Sequence, residues 1–174
     1  MIYVKWAAML PVSILVTVLG IVLSPILPLF AKDGWLPKWL SWFQTPDNSL
    51  YGDDGWKTEH WMGRYKLPTK ICTYVGEFGW LLRNPGQGYG VVYLSGDPIV
   101  ATFTGNDQVN DSPGVEGTCT VHCQNLFQWV WVKKIGPDEC IYCNFGWNIK
   151  GCINGDERTH IATYTFSPRI AAWK

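Results

Sequence analysis

Charge is scarce in this chain and balanced: 14 Lys and Arg stand against 14 Asp and Glu in 174 residues. Proteins that grip nucleic acid do so with an excess of basic side chains, so the composition gives no electrostatic case for a nucleic-acid partner. Histidine is rarer still. Only His60, His122 and His160 are available as imidazole bases. None sits in a Gly-x-Ser-x-Gly, His-Glu-x-x-His or phosphate-loop pattern, the local signatures of nucleophilic, metal-assisted and phosphoryl-transfer chemistry. Internal repeats and low-complexity tracts are absent as well. Six cysteines fall below the density of a disulfide scaffold.

What the chain does have is one long apolar run. Residues 6–30 carry no charge. A helix rises about 1.5 Å per residue, and some 20 apolar residues cross a hydrocarbon layer roughly 30 Å thick. The run exceeds the short core of a secretory signal, and Leu29-Phe30-Ala31 offers bulky residues where a cleavage site wants small ones. The expectation is an uncleaved transmembrane anchor over residues 1–31; a cleaved signal and a buried core helix are the competing readings. Pro25 and Pro28 should end or kink the helix. Lys5 on one side and Lys32 and Lys38 on the other barely separate the two orientations under the positive-inside rule. The default is a short N-terminal tail inside and the bulk of the chain outside.

Residues 32–46 follow as an interfacial amphipathic segment. Trp35, Trp39, Trp42 and Phe43 recur at helical spacing there. Tryptophan favours the membrane–water boundary, where its ring is apolar and its N–H finds a partner. These four residues are the expected membrane-interface set, and the lipid bilayer the expected partner. The competing reading packs them into the folded domain.

Residues 47–174 read as a soluble α+β domain. Its loop at 45–55 is made of turn residues. Asp47, Asp53, Asp54, Glu59 and His60 cluster there without EF-hand spacing. A helix is expected at 69–82, with Ile71, Tyr74, Val75, Phe78, Leu81 and Leu82 on its apolar face and Thr69 as its cap. Pro85 and Gly86 stop it. Strands are expected at 89–95, 99–104, 117–123, 126–135, 140–150 and 159–166, where β-branched and aromatic residues alternate between Gly, Pro, Asn and Asp. In residues 128–134 Trp129 and Trp131 share one face, Val130 and Val132 the other. Helix first and strands consecutively suggest a small antiparallel sheet with one packed helix.

The cysteines admit three readings. Cys119, Cys123, Cys140 and Cys143 form two close pairs about 16 residues apart, which is the outline of a zinc ribbon. No knuckle glycine follows either pair, however, and two residues three apart on a strand point to opposite faces. Disulfides suit an oxidising compartment; unpaired buried thiols suit any. No cofactor is expected, with zinc left open at these four positions.

Four blocks are distinctive: residues 45–53 (Thr-Pro-Asp-Asn-Ser-Leu-Tyr-Gly-Asp), 79–85 (Gly-Trp-Leu-Leu-Arg-Asn-Pro), 145–150 (Phe-Gly-Trp-Asn-Ile-Lys) and 165–169 (Thr-Phe-Ser-Pro-Arg). They resemble a group of small proteins of unknown function encoded by tailed bacteriophages and prophages, whose members often begin with a membrane segment. The resemblance covers most of residues 45–169. It implies a bacterial host and a single-pass inner-membrane location. It brings no activity and no catalytic residue.

The expected function is a membrane-anchored, non-enzymatic binding or structural module. Its protein partner would be a host envelope component or a phage assembly component. Surface aromatics such as Trp56 or Trp147 would carry the contact. The alternative is an envelope-acting hydrolase using the loop carboxylates and His60, since aromatic clefts with paired carboxylates suit carbohydrate substrates.

Overall fold

A computed structural model describes residues 1–52, 66–96, 98–109, 113–153 and 160–174. The chain divides into two compact units, Met1–Leu10 with Val91–Lys174, and Pro11–Gly90. The first helix, α1 (Ile2–Leu23), contributes its opening residues to one and the rest to the other. Pro11 lies inside it. The helix ends before Pro25, with the Ser24 hydroxyl and N–H both donating to the Ile21 carbonyl. The fold is α+β, as the sequence predicts.

The sheet unit holds six strands: β1 (Val92–Tyr93), β2 (Thr102–Gly105), β3 (Gly117–Cys123), β4 (Leu126–Lys134), β5 (Glu139–Asn148) and β6 (Ile161–Ala172). Their order is β1-β6-β5-β4-β3-β2, with every neighbouring pair antiparallel. The long strands β3 to β6 lie side by side in sequence order, β3–β4 and β4–β5 joined directly and β5–β6 through residues 149–160. That is the arrangement a succession of alternating apolar segments favours. β3 coincides with its expected span and β4 stops one residue short. β6 continues six residues past it to Ala172.

The period-2 pattern sorts the sheet into two faces. Val121, Val130, Val132 and Tyr142 lie on one, almost fully buried with Val109 and Ile149 from the connections. Trp129, Phe145 and Phe166 lie on the other, in direct register across β4, β5 and β6. Gly146 sits at φ +109°, and a Cβ there would meet the Phe127 carbonyl oxygen at 2.1 Å, so only glycine lets β4 approach at this point.

In the other unit a leucine core gathers Leu27, Leu36, Leu40, Leu50 and Leu81. The Gln44 side chain organises the loop around it. Its oxygen accepts from the Leu36 N–H at 2.7 Å, and its amide donates to the carbonyls of Gly34 and Asn48. The Thr45 hydroxyl donates to Asn48 and accepts from the Trp80 indole at 3.1 Å. A 3₁₀ helix at Leu27–Phe30 packs on α2 (Thr69–Arg83), and the Tyr74 hydroxyl donates to the Pro25 carbonyl at 2.6 Å.

Two expectations about α2 are corrected. Its inward face is Cys72, Gly76, Glu77 and Leu81, while Ile71 and Leu82 are exposed. Thr69 is not its cap either; Pro68 stands there, with no side-chain hydrogen bond, and its carbonyl receives the first helical N–H groups. The packing partners of α2 are in the leucine core, whereas the helical residues packed on the sheet core include Ile2, Trp6 and Met9 of α1.

Candidate functional site

The sheet's aromatic face is the feature with the most specific geometry. Trp129, Phe145 and Phe166 stack as a ladder across three adjacent strands, with ring centroids 5.5 and 5.3 Å apart and planes 17° from parallel at each step. Direct register on a common face brings such rings together, and offset-stacked aromatics contribute about 0.5–1.5 kcal/mol beyond the area they bury. Trp6 of α1 lies over the ladder, 5.9 Å from Phe145 and 6.3 Å from Phe166. Two hydrogen bonds fix it. Its indole N–H donates to the Thr165 carbonyl at 3.2 Å, and the Tyr164 hydroxyl donates to the Trp6 carbonyl at 2.9 Å. Tyr3, one turn earlier, packs 4.4 Å from Phe127, and its hydroxyl is 3.4 Å from Nε2 of His122.

Between α1 and the strands an open hollow of about 510 Å³ remains. Tyr3, Trp6, Ala7, Thr120, Phe127, Trp129 and Phe145 line it. These seven residues offer ring faces and small apolar groups, and none is a carboxylate, imidazole or ammonium. The surface can stack on or shelter an apolar group, with the Tyr3 and Thr120 hydroxyls as its polar side-chain oxygens.

Behind the other face lies a polar network. The Gln128 side-chain oxygen accepts from the N–H groups of Ile149 and Lys150 at 2.8 and 3.0 Å, at the start of a short helix, α3 (Lys150–Ile153). Its amide donates to Asn144 and Asn148, and Asn144 donates to the Tyr142 hydroxyl. The buried Lys150 ammonium donates to the carbonyls of Asp107 and Val109. The satisfied bonds make this a structural clamp between β4, α3 and the loop that follows β2.

The cysteine positions are now concrete. All six are free thiols. Cys119 pairs opposite Val130, Cys123 opposite Leu126, Cys140 opposite Lys134 and Cys143 opposite Trp131. At about 3.3 Å per residue the levels of Cys123 and Cys140 lie roughly 26 Å apart along β4, where zinc needs every sulfur within about 2.3 Å of one point. β4 also separates the first two from the last two. Among the described residues no group of three or more His, Cys, Asp or Glu is placed to hold a metal ion. Burial pushes the thiols of Cys119, Cys123 and Cys143 up from their ordinary range, which makes them poor nucleophiles.

The residues expected at a membrane interface divide. A 3₁₀ helix at Lys38–Phe43 carries them, and its three-residue turn sets Trp39 and Trp42 one above the other. Trp35, Trp39 and Trp42 are exposed, Trp39 to 72 %. Phe43 turns inward against the leucine core. Trp147, expected at the surface, is fully buried instead, edge-on to Tyr164 at 5.6 Å with the Lys5 ammonium 5.9 Å above it. Trp56, Asp53, Asp54, Glu59 and His60 lie outside the described residues, and with them the loop of the hydrolase reading. Sequence reasoning missed Tyr3 and Trp6, which it counted into the anchor; an aromatic one turn after another was the signal available.

A model of a family of unknown function, DUF7338, matches residues 1–172. No curated protein and no solved structure matches the chain.

Proposed function

We propose a role for a chain that belongs to the DUF7338 family: a membrane-anchored, non-enzymatic binding or structural module. α1 provides the anchor and the sheet unit provides the surface for a protein partner. The bacterial inner membrane, a phage or prophage origin and a partner in the host envelope or in phage assembly are part of the same proposal. They rest on the resemblance of the four sequence blocks.

The observation that carries this reading is the exposure of α1. The helix is long and apolar enough to cross a membrane, with a mean hydropathy of 2.3 in its best window, of which only 11 % is buried. A helix that is apolar all round belongs in a protein core or in lipid. Here Val16 and Gly20 are its buried residues, while Ile14, Val18, Ile21 and Val22 stand exposed. Among the described residues nothing covers this surface, so lipid is the medium that suits it. The tryptophans at 35, 39 and 42 supply the boundary-loving side chains beside it.

The test is fractionation of cells that express the full chain. Held by apolar burial and carrying no net charge, the protein should stay in the membrane fraction through a high-salt wash, which screens charge but not hydrophobic contact. Replacing the exposed Ile14 and Ile21 together (Ile14→Lys, Ile21→Lys) should release most of it, since each lysine costs on the order of 2–3 kcal/mol in hydrocarbon. Recovery of the unaltered chain in the soluble fraction would contradict the proposal.

A further inference from the structure

We infer that α1 engages a single leaflet and does not cross the bilayer, so that the N-terminal residues and the sheet lie on the same side of the membrane. This rests on the anchoring reading above and specifies its geometry. The partner is one lipid leaflet.

The free length of α1 is too short to cross. Met1–Leu10 and Val91–Lys174 form one compact unit. Trp6 is tied into that unit by its two hydrogen bonds to β6, and Tyr3 and Trp6 by their ring contacts to Phe127, Phe145, Tyr164 and Phe166. The C-terminal end is held in the same unit, where the Trp173 and Lys174 N–H groups donate to the carbonyls of Asp138 and Pro113. What remains of α1 after Leu10 is about 13 residues, or ~20 Å of helix. The hydrocarbon layer is roughly 30 Å thick. The remainder reaches through one leaflet and falls short of the second. The chain beyond Leu23 does not extend it, because Leu27 and Pro28 are buried in protein and the Pro25 carbonyl accepts the Tyr74 hydroxyl.

Protein also lies against the part of α1 that remains after Leu10. A Cβ added to Gly20 would meet the Gly86 nitrogen at 3.3 Å and the ring of Phe43 at 3.4 Å. One added to Gly86, which sits at φ +70°, would meet Thr17 backbone at 3.1 Å. A turn of irregular backbone thus touches α1 between Val16 and Gly20, at the middle of the stretch that remains after Leu10. Irregular backbone is not found exposed to lipid at the centre of a bilayer, where its polar groups have no water. A helix lying in the boundary has no such difficulty. Its protein side is Val16 and Gly20. At 100° per residue its opposite side is Ile14, Val18 and Ile21, all exposed, and no charge interrupts residues 6–31. That surface matches an apolar face sunk a few ångströms into one leaflet.

The experiment places one epitope tag before Met1 and a different one after Lys174 of the full chain, expressed in bacteria. Sealed spheroplasts and inside-out inner-membrane vesicles are then treated with protease. The expected result is that both tags are lost together in one preparation and both protected in the other. Loss of one tag with protection of its counterpart, in protein that remains in the membrane fraction, would overturn this inference and leave the anchoring reading standing. Absence from the membrane fraction would overturn both.

Discussion

At the residue scale the thiols illustrate how burial decides chemistry. Cys119 and Cys123 sit on β3 among packed apolar side chains and Cys143 is half-buried on β5. In each the low-polarity surroundings disfavour the thiolate and raise the thiol above its usual range. Raising a thiol's titration point lowers the fraction of thiolate at any pH below it, so these positions should alkylate at pH 8 more slowly than an exposed cysteine. Denaturation should remove the difference. Peptide mapping after maleimide treatment of folded and unfolded protein checks this. Fast labelling of all three in the folded chain, or zinc released in stoichiometric amount by a chelator with loss of stability, would contradict it.

Trp147 makes a second point about single residues. Its strand position and chemistry were legible, since alternation places it on the same face as Phe145. Its burial was not, because the residues that cover it include Lys5 at the far end of the chain. Trp6 escaped for a related reason. An apolar run records that a segment avoids water, and a sheet face and a lipid tail satisfy that preference equally.

Among the elements, the long strands were the most legible. β3 and β4 could be read from the sequence because each alternates cleanly and is bounded by turn residues. β6 runs on to Ala172 through Pro168, which the sequence marks as a place to stop. Pairing with β5 from Thr163 to Ala172, ending with Glu139 opposite Ala172, outweighs that local signal. The face of α2 was misjudged because hydrophobicity alone picks Ile71 and Leu82, whereas close packing selects the small residues Cys72 and Gly76.

Gln128 joins elements that the sequence keeps apart. It satisfies two backbone donors at the start of α3 and two side chains of β5 from a fully buried position on β4. Gln128→Leu conserves much of the volume and strands those donors. A buried unsatisfied group costs about 1–3 kcal/mol, so the variant should lose roughly 2–4 kcal/mol and its melting temperature should fall by roughly 5–15 °C. A near-ultraviolet circular dichroism melt measures this; an unchanged midpoint would show that the clamp is not needed.

For the whole molecule, the α+β class, the strand sequence and the membrane-suited helix were readable from local pattern. The division into units was not. Local pattern suggests an anchor at 1–31, an interfacial segment at 32–46 and a domain at 47–174; the contacts group residues 1–10 with the sheet unit and place the leucine core in the unit spanning 11–90. Such grouping depends on contacts between residues more than a hundred positions apart, as between Trp6 and Thr165, and no window along the sequence contains them. The aromatic hollow belongs to the same class of feature, because two of the rings that line it come from α1 and three from β4 and β5.

The central claim is that the uncovered apolar surface of α1 is made for lipid. Flotation of the purified full chain with neutral phosphatidylcholine vesicles in high salt tests it most directly, since charge attraction is absent and apolar burial is the force left. The protein should rise with the vesicles, and the chain carrying Ile14→Lys and Ile21→Lys should stay below. A wild-type chain that remains at the bottom of the gradient as a monodisperse soluble protein would contradict the account.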